Sequence, residues 1–190
     1  MFKPWPKILR LEKKRKPVFT EKIDGTNACV IVVTKPIDHD PDNYVGQITT
    51  AFNHNNNTHY FLYAQSRTRL IYPGDDNYAF AKWVLENAEE LVKLEEGHHF
   101  GEWWGQGIQR GYGLTEKRFS LFNTRRWGPH NPNTPKCCHV IPTLPVRTAE
   151  EAIDYLKTNG SLAVPGWMKP EGAVMYEPDS DTCFKIILDK

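Results

Sequence analysis

Residues 19–27 read Phe19-Thr20-Glu21-Lys22-Ile23-Asp24-Gly25-Thr26-Asn27, and the apolar stretch Ala28 to Val33 follows at once. This reads as strand, turn and strand, a hairpin spanning Val18 to Val33. Gly25 is expected to permit the tight turn through a positive φ. Asp24 and Asn27 suit a turn because their side chains bond nearby backbone. Such a hairpin holds one amine, Lys22, at the mouth of a β-rich pocket, as a covalent amine nucleophile requires. Taken alone, the stretch reads equally as a hairpin with a solvated lysine.

The rest of the chain bounds that reading. Its 190 residues, 39% hydrophobic and 25% charged, are expected to form one soluble domain with a proper core, residues 1–190. No apolar run approaches the roughly 18–20 residues of a membrane span. The start, Met1-Phe2-Lys3-Pro4-Trp5-Pro6, lacks a signal core. A cytoplasmic protein with no membrane partner is the expectation. The four cysteines have no metal-ligand spacing and read as reduced thiols. A net charge of +1 excludes a globally basic nucleic-acid binder. Local clusters remain at Lys7, Arg10, Lys13, Lys14, Arg15 and Lys16, and at Lys117, Arg118, Arg125 and Arg126. Each is either a solvated face or a track for phosphates.

Further strands are expected at Gly46–Thr50, Tyr60–Gln65, His98–Trp104, Phe119–Thr124, Val174–Tyr176 and Phe184–Leu188. Asp75-Asp76-Asn77 offers caps for a helix from Tyr78 to Leu94, with Phe80, Trp83, Val84, Leu91 and Leu94 at helical spacing. Thr148 and Glu151 form a capping box for a second helix ending at Asn159-Gly160. Gly105 to Gly113 reads as a Gly-rich loop, and Trp127 to Pro145 as an ordered connection. The fold class is α+β, with antiparallel sheets flanked by helices.

Three more segments put a charge inside an apolar strand: Phe100-Gly101-Glu102-Trp103-Trp104, Pro170-Glu171-Gly172-Ala173-Val174 and Cys183-Phe184-Lys185-Ile186. A charge so placed is costly unless paired. Two lysines and two glutamates therefore point to a ligand-filled pocket or to ion pairs between strands.

Lys22-Ile23-Asp24-Gly25 resembles motif I of the covalent nucleotidyltransferases, the ATP-dependent ligases and capping enzymes. Phe100-Gly101-Glu102 resembles their motif III, Ser120-Leu121-Phe122-Asn123 motif IIIa, Glu171-Gly172-Ala173-Val174 motif IV and Phe184-Lys185 motif V. Gln65-Ser66-Arg67 resembles the segment that supplies a nucleotide-binding arginine. The motifs occur in the family's order and span residues 19–188. Glu21 before the lysine and Gly25-Thr26-Asn27 after it are most similar to the RNA ligase 2-like enzymes. Two departures stand out. Motif V here reads Lys185-Ile186-Ile187 rather than a Lys-x-Lys pair, and the chain ends just after it, with no OB fold or helical domain appended.

The resemblance implies an ATP-dependent RNA ligase. Lys22 Nζ attacks the α-phosphorus of ATP, expels pyrophosphate and carries AMP. The AMP passes to a polynucleotide 5′-phosphate, and a 3′-OH then displaces it. The first step needs a neutral amine, whereas unperturbed lysine titrates near ~10.4. Lys185 and a bound Mg²⁺ (or Mn²⁺) are the implied neighbouring cations that disfavour the ammonium. Glu171 is implied to anchor the metal through water. The implied nucleotide contacts are Glu21 and Ile23 beside the lysine, Glu102 at the ribose or the metal waters, Asn27 and Arg67 at ribose or phosphate, Lys185 at the α-phosphate and Phe122 on the adenine face. Arg110 in the Gly-rich loop is either a phosphate contact or solvated. Trp103 and Trp104 read as core. The partner is RNA with nicked or single-stranded ends. The alternatives are DNA, as for a minimal DNA ligase, and a self-adenylylating subunit whose protein partner supplies substrate binding.

Overall fold

The computed structural model describes residues 15–36, 47–53 and 58–188. Its organising element is the turn after Lys22. β1 (Val18–Lys22) and β2 (Thr26–Pro36) flank that turn but do not pair with each other. β1 joins a three-stranded sheet in the order β1-β9-β10, with β9 (Gly172–Glu177) and β10 (Thr182–Ile187). β2 lies inside a seven-stranded sheet ordered β3-β4-β2-β6-β7-β8, where a short β5 (Leu70–Ile71) also pairs with β4. The other strands are β3 (Thr49–Asn53), β4 (Thr58–Ser66), β6 (Gly97–Gly105), β7 (Lys117–Leu121) and β8 (Cys138–Val140). The expected hairpin is thus a crossing between two sheets. All pairings are antiparallel except β7 with β8, which is parallel.

Gly25 is needed for space, not for φ, since it is absent from the positive-φ glycines. A Cβ there would lie 2.5 Å from the Trp103 carbonyl oxygen and 2.7 Å from Trp104 Cβ. Backbone cannot yield cheaply to that contact, so Gly25→Ala is expected to cost about 1–3 kcal/mol, the usual range for overpacking. A lowered urea midpoint checks this. An unchanged midpoint would mean the turn moves freely. Gly172 is packed tighter still, its absent Cβ falling 1.9 Å from the Ile186 carbonyl oxygen.

Each sheet buries one face under helices. α1 (Phe80–Glu86) and α2 (Ala88–Leu91) cover the large sheet. Phe80, Val84, Leu91 and Leu94 pack there with Val30, Val32, Leu62, Trp103, Phe119 and Leu121. The single helix expected from Tyr78 to Leu94 breaks at Asn87, whose φ is −114°, and closes in a 3-10 turn at Val92–Leu94. α3 (Ala149–Asn159) covers the small sheet, with Ala152 and Leu156 against Phe19 and Ala173. Thr148 Oγ1 accepts the Glu151 N–H at 3.2 Å, as the capping-box reading expects, while Glu151 takes the Arg147 N–H. A third cluster, Ile23, Trp104, Tyr112 and Ile141, fills the junction between the sheets. Trp103 and Trp104 are both core. Among the described residues no helix is long and apolar enough to cross a membrane.

Candidate active site

With their other faces covered, the two sheets line a cleft of about 1000 Å³. Strand alternation decides what enters it. On β1, Val18, Thr20 and Lys22 face the cleft; on β9, Val174 and Tyr176 do. On β6, His98, Phe100 and Glu102 share the cleft face, with Asn27 opposite Glu102 on β2. Ile23, Arg67 and Phe122 line it as well.

Lys22 ends β1 opposite Gly172, the first residue of β9, so Glu171 is brought beside it. Lys22 Nζ donates to Glu171 Oε2 at 2.6 Å, with the side chains 27% and 15% exposed. This ion pair is half-buried, and it joins motif I to motif IV directly. Glu102 stands near both. Burial, chiefly, and the neighbouring Glu171 and Asp24 charges push its carboxyl up to about 7, against the pull of Lys22 and of a hydrogen bond from the Gly25 backbone.

Asp24 turns away from Lys22. Its Oδ2 accepts from Arg110 Nε at 2.9 Å, and its backbone N–H donates to the Tyr112 hydroxyl at 2.8 Å. Arg110 also donates to the Lys169 carbonyl oxygen at 3.2 Å. Arg110 is therefore neither a solvated side chain nor poised in the cleft. It ties the Gly-rich loop to the Lys22 turn on one side and to the approach to Glu171 on the other.

The remaining expected residues divide. Glu21 borders the cleft, but its carboxylate accepts the N–H groups of Leu162 at 2.8 Å and Ala163 at 3.0 Å, so it fastens that loop to β1. Burial raises its pKa, and those hydrogen bonds oppose the rise. Phe122 is 42% exposed and offers a ring face. Lys185 is exposed and is not in the cleft lining, yet its register partner is Val174, which places it on the cleft side of β10 with Cys183. Ile187, on that same face, is opposite Gly172, where a second motif V lysine would stand. Of the basic segment from Lys7 to Lys16, residues 7–14 lie outside the described residues. Arg15 pairs with Asp179 and the Pro178 carbonyl. The second cluster disperses. Lys117 donates to the Tyr78 carbonyl and Arg118 pairs with Glu116, while Arg125 and Arg126 both line the cleft, Arg126 paired with Glu95. The cleft residues His98 and Tyr176 were legible in principle, since each stands two places from a motif residue on a strand.

Among the described residues no group of three or more His, Cys, Asp or Glu side chains could hold a metal ion. The donors do not fit a protein-caged metal. They do fit a hydrated one, because Mg²⁺ keeps several waters and takes one or two carboxylates. Glu102 and Glu171 supply two, close enough for the Glu171 charge to act on the Glu102 carboxyl.

The RNA ligase family model matches residues 15–187. The chain belongs to the RNA ligase family. The chain is similar in structure to an RNA ligase of Naegleria gruberi. A mutant of that enzyme with ATP and Mn gives a TM-score of 0.54 at 20% identity, over 93% of this chain and 50% of that one. The same ligase with PPi gives 0.51 at 19%, over 96% and 57%, and a mutant with AMP and Mn gives 0.52 at 19%, over 93% and 51%. At these identities the likeness concerns the fold, two sheets and their helices. The chain spans about half the length of these RNA ligases. No curated protein matches it.

Glu102 makes a pH test of the site. Folded, it holds its proton up to about 7; unfolded, it releases it near ~4.3. The unfolded state binds fewer protons between those values, so stability falls as pH rises through that window and levels off above it. At 1.36 kcal/mol per unit the full loss is on the order of 3 kcal/mol. Glu102→Gln removes it. Without nucleotide or divalent cation, the variant's melting temperature should match wild type near pH 4. It should exceed wild type by roughly 5–10 °C at pH 8. A difference that does not change with pH would remove the assignment.

Proposed function

We propose that this chain is an ATP-dependent RNA ligase acting in the cytoplasm, and that residues 1–190 form one adenylyltransferase domain. One observation carries the reading: in a member of the RNA ligase family, Lys22 ends a strand inside the cleft with Nζ 2.6 Å from Glu171. The matched Naegleria structures hold ATP or AMP with Mn, which supports ATP as the nucleotide and Mg²⁺ or Mn²⁺ as the cation here.

Phe122 stacks on adenine, and Asn27, Arg67 and Glu102 hold the ribose and phosphates. Lys185, from the cleft side of β10, meets the α-phosphate, while Glu21 and Ile23 wall the site beside Lys22. A bound divalent cation supplies charge neutralisation at the phosphates. Glu171 orients its water shell and so leaves Nζ free of its carboxylate. Lys22 Nζ, its ammonium proton first lost to water, then attacks the α-phosphorus, the bond to the β-phosphate oxygen breaks, and pyrophosphate leaves. A 5′-phosphate oxygen of RNA next displaces Nζ from the AMP phosphorus. The 3′-OH finally attacks the activated 5′-phosphate and releases AMP.

The test uses α-labelled ATP with a divalent cation, followed by a 5′-phosphorylated oligoribonucleotide and its DNA counterpart. Label on the protein that survives alkali but is released by acid, as a phosphoramidate is, and that is chased into RNA on addition of the strand, is the expected result. No label on the protein would end the proposal. Label that never leaves without a second protein would replace it with the self-adenylylating subunit, and preferential transfer to DNA would replace RNA as the substrate.

A further inference from the structure

The small sheet does not by itself fix the spacing of the central pair. The last rung between β1 and β9 joins Lys22 to Gly172. Past that rung the two chains part, one into the turn at Asp24 and Gly25, the other back through Pro170 and Lys169. The Glu171 carbonyl accepts the Leu188 N–H at 3.0 Å, which ties it to the end of β10 and not to β1. The ladder therefore orders the backbones of Lys22 and Gly172, and something else must hold the Lys22 turn against the Glu171 segment.

One side chain spans that gap. Arg110 Nε donates to Asp24 Oδ2 at 2.9 Å, two residues after Lys22. The same guanidinium donates to the Lys169 carbonyl oxygen at 3.2 Å, two residues before Glu171. Both ends of the grip are held a second time. The Tyr112 hydroxyl accepts the Asp24 N–H at 2.8 Å, and the Trp167 indole N–H donates to the Lys169 carbonyl oxygen at 3.0 Å. The Tyr112 ring is buried, edge-on to Trp104 at 5.0 Å and 5.7 Å from Trp167. The loop also carries strain at this place. Gln109 and Tyr112, flanking Arg110, are left-handed at φ 46° and 54°, where non-glycine residues are disfavoured. Strain of this kind persists where the surroundings over-determine it, and it collects at functional sites.

We propose that Arg110 is a positioning residue for self-adenylylation, its guanidinium fork setting the Lys22 turn against Glu171. This rests on the RNA ligase reading and adds to it a residue outside the cleft lining. The amine must meet the α-phosphorus while Glu171 orients the cation's water shell, so the spacing of the two governs that step. Reacting groups misplaced by about 1 Å lose on the order of a hundredfold in rate. Affinity for ATP does not pass through Arg110, because the adenine and ribose contacts lie elsewhere. Sealing of a strand that already carries AMP depends on it less, because Lys22 is not the nucleophile there.

The experiment compares wild type, Arg110→Ala and Arg110→Lys, each well below its melting temperature. It follows self-labelling from α-labelled ATP at varied concentration, and sealing of a pre-adenylylated oligoribonucleotide. Arg110→Ala should lower the labelling rate at saturating ATP by about tenfold to a hundredfold. The ATP concentration for half-maximal rate should stay put, and sealing should fall at least about tenfold less than labelling. Arg110→Lys keeps the charge but not the fork, so it should remain well below wild type in labelling; it carries the test if Arg110→Ala does not fold. Full labelling in Arg110→Lys overturns the inference, since a charge beside Asp24 would then suffice. A changed ATP requirement at an unchanged maximal rate overturns it by making Arg110 a nucleotide contact. Equal loss of labelling and sealing overturns it by making the loop a structural prop. Should wild type itself fail to label, the RNA ligase reading falls and takes this inference with it; normal wild-type labelling with an indifferent Arg110 sinks only this inference.

Discussion

Replacing Lys22 by alanine is expected to abolish covalent labelling from α-labelled ATP, by at least about 10⁴-fold, the scale seen when a nucleophile is removed. The geometry leaves no stand-in. Lys185 is on β10, two strands from β1, and its register partner Val174 is opposite Thr20 rather than Lys22. Two strand spacings are about 9–10 Å, so Lys185 reaches the α-phosphate from the far edge of β9 as a charge partner and does not stand where Lys22 Nζ attacks. Stability should change little, because the Lys22–Glu171 pair is partly open to solvent and such pairs contribute modestly. The measurement is alkali-stable covalent label on the denatured protein, with a thermal melt beside it. Residual labelling, or AMP mapped to Lys185, would overturn the assignment of Lys22.

The sequence made the site's residues legible more readily than their connections. Lys22, Asn27, Arg67, Glu102 and Phe122 meet in one cleft because each belongs to a short motif whose strand alternation is local. The hairpin about Gly25 was misread because a turn does not say which strands pair. β1 finds β9 some 150 residues later, and only the small sheet's packing on α3 decides that. The same limit hid the role of Gly25, since its neighbours Trp103 and Trp104 are distant in sequence. The helix break at Asn87 escaped because both halves keep apolar residues toward one core, so the spacing never falters. β8 lies in a proline-rich connection and carries a parallel pairing that no alternation signals. Arg110 could be placed in a Gly-rich loop from sequence, but its partner Asp24 could not.

Glu171→Gln tests the other half of the central pair. The substitution keeps side-chain volume and one acceptor oxygen but removes the charge, so the hydrated cation loses an anchor and Lys22 loses its partner at 2.6 Å. Removing one preorganised electrostatic contact costs about 10²–10³-fold in rate. Self-adenylylation is expected to fall by that much, with more divalent cation needed for half-maximal rate. The second effect separates a metal-anchoring role from ion pairing alone. A residue that merely pairs Lys22 would leave the cation dependence where it is, whatever the rate. Melting should stay within a few degrees of wild type, because Glu171 precedes β9 and the strand's own pairings with β1 and β10 begin at Gly172. A large loss of stability with labelling preserved would instead make the pair a structural tie between the two motifs, and Glu102 would then be the carboxylate left to meet the cation.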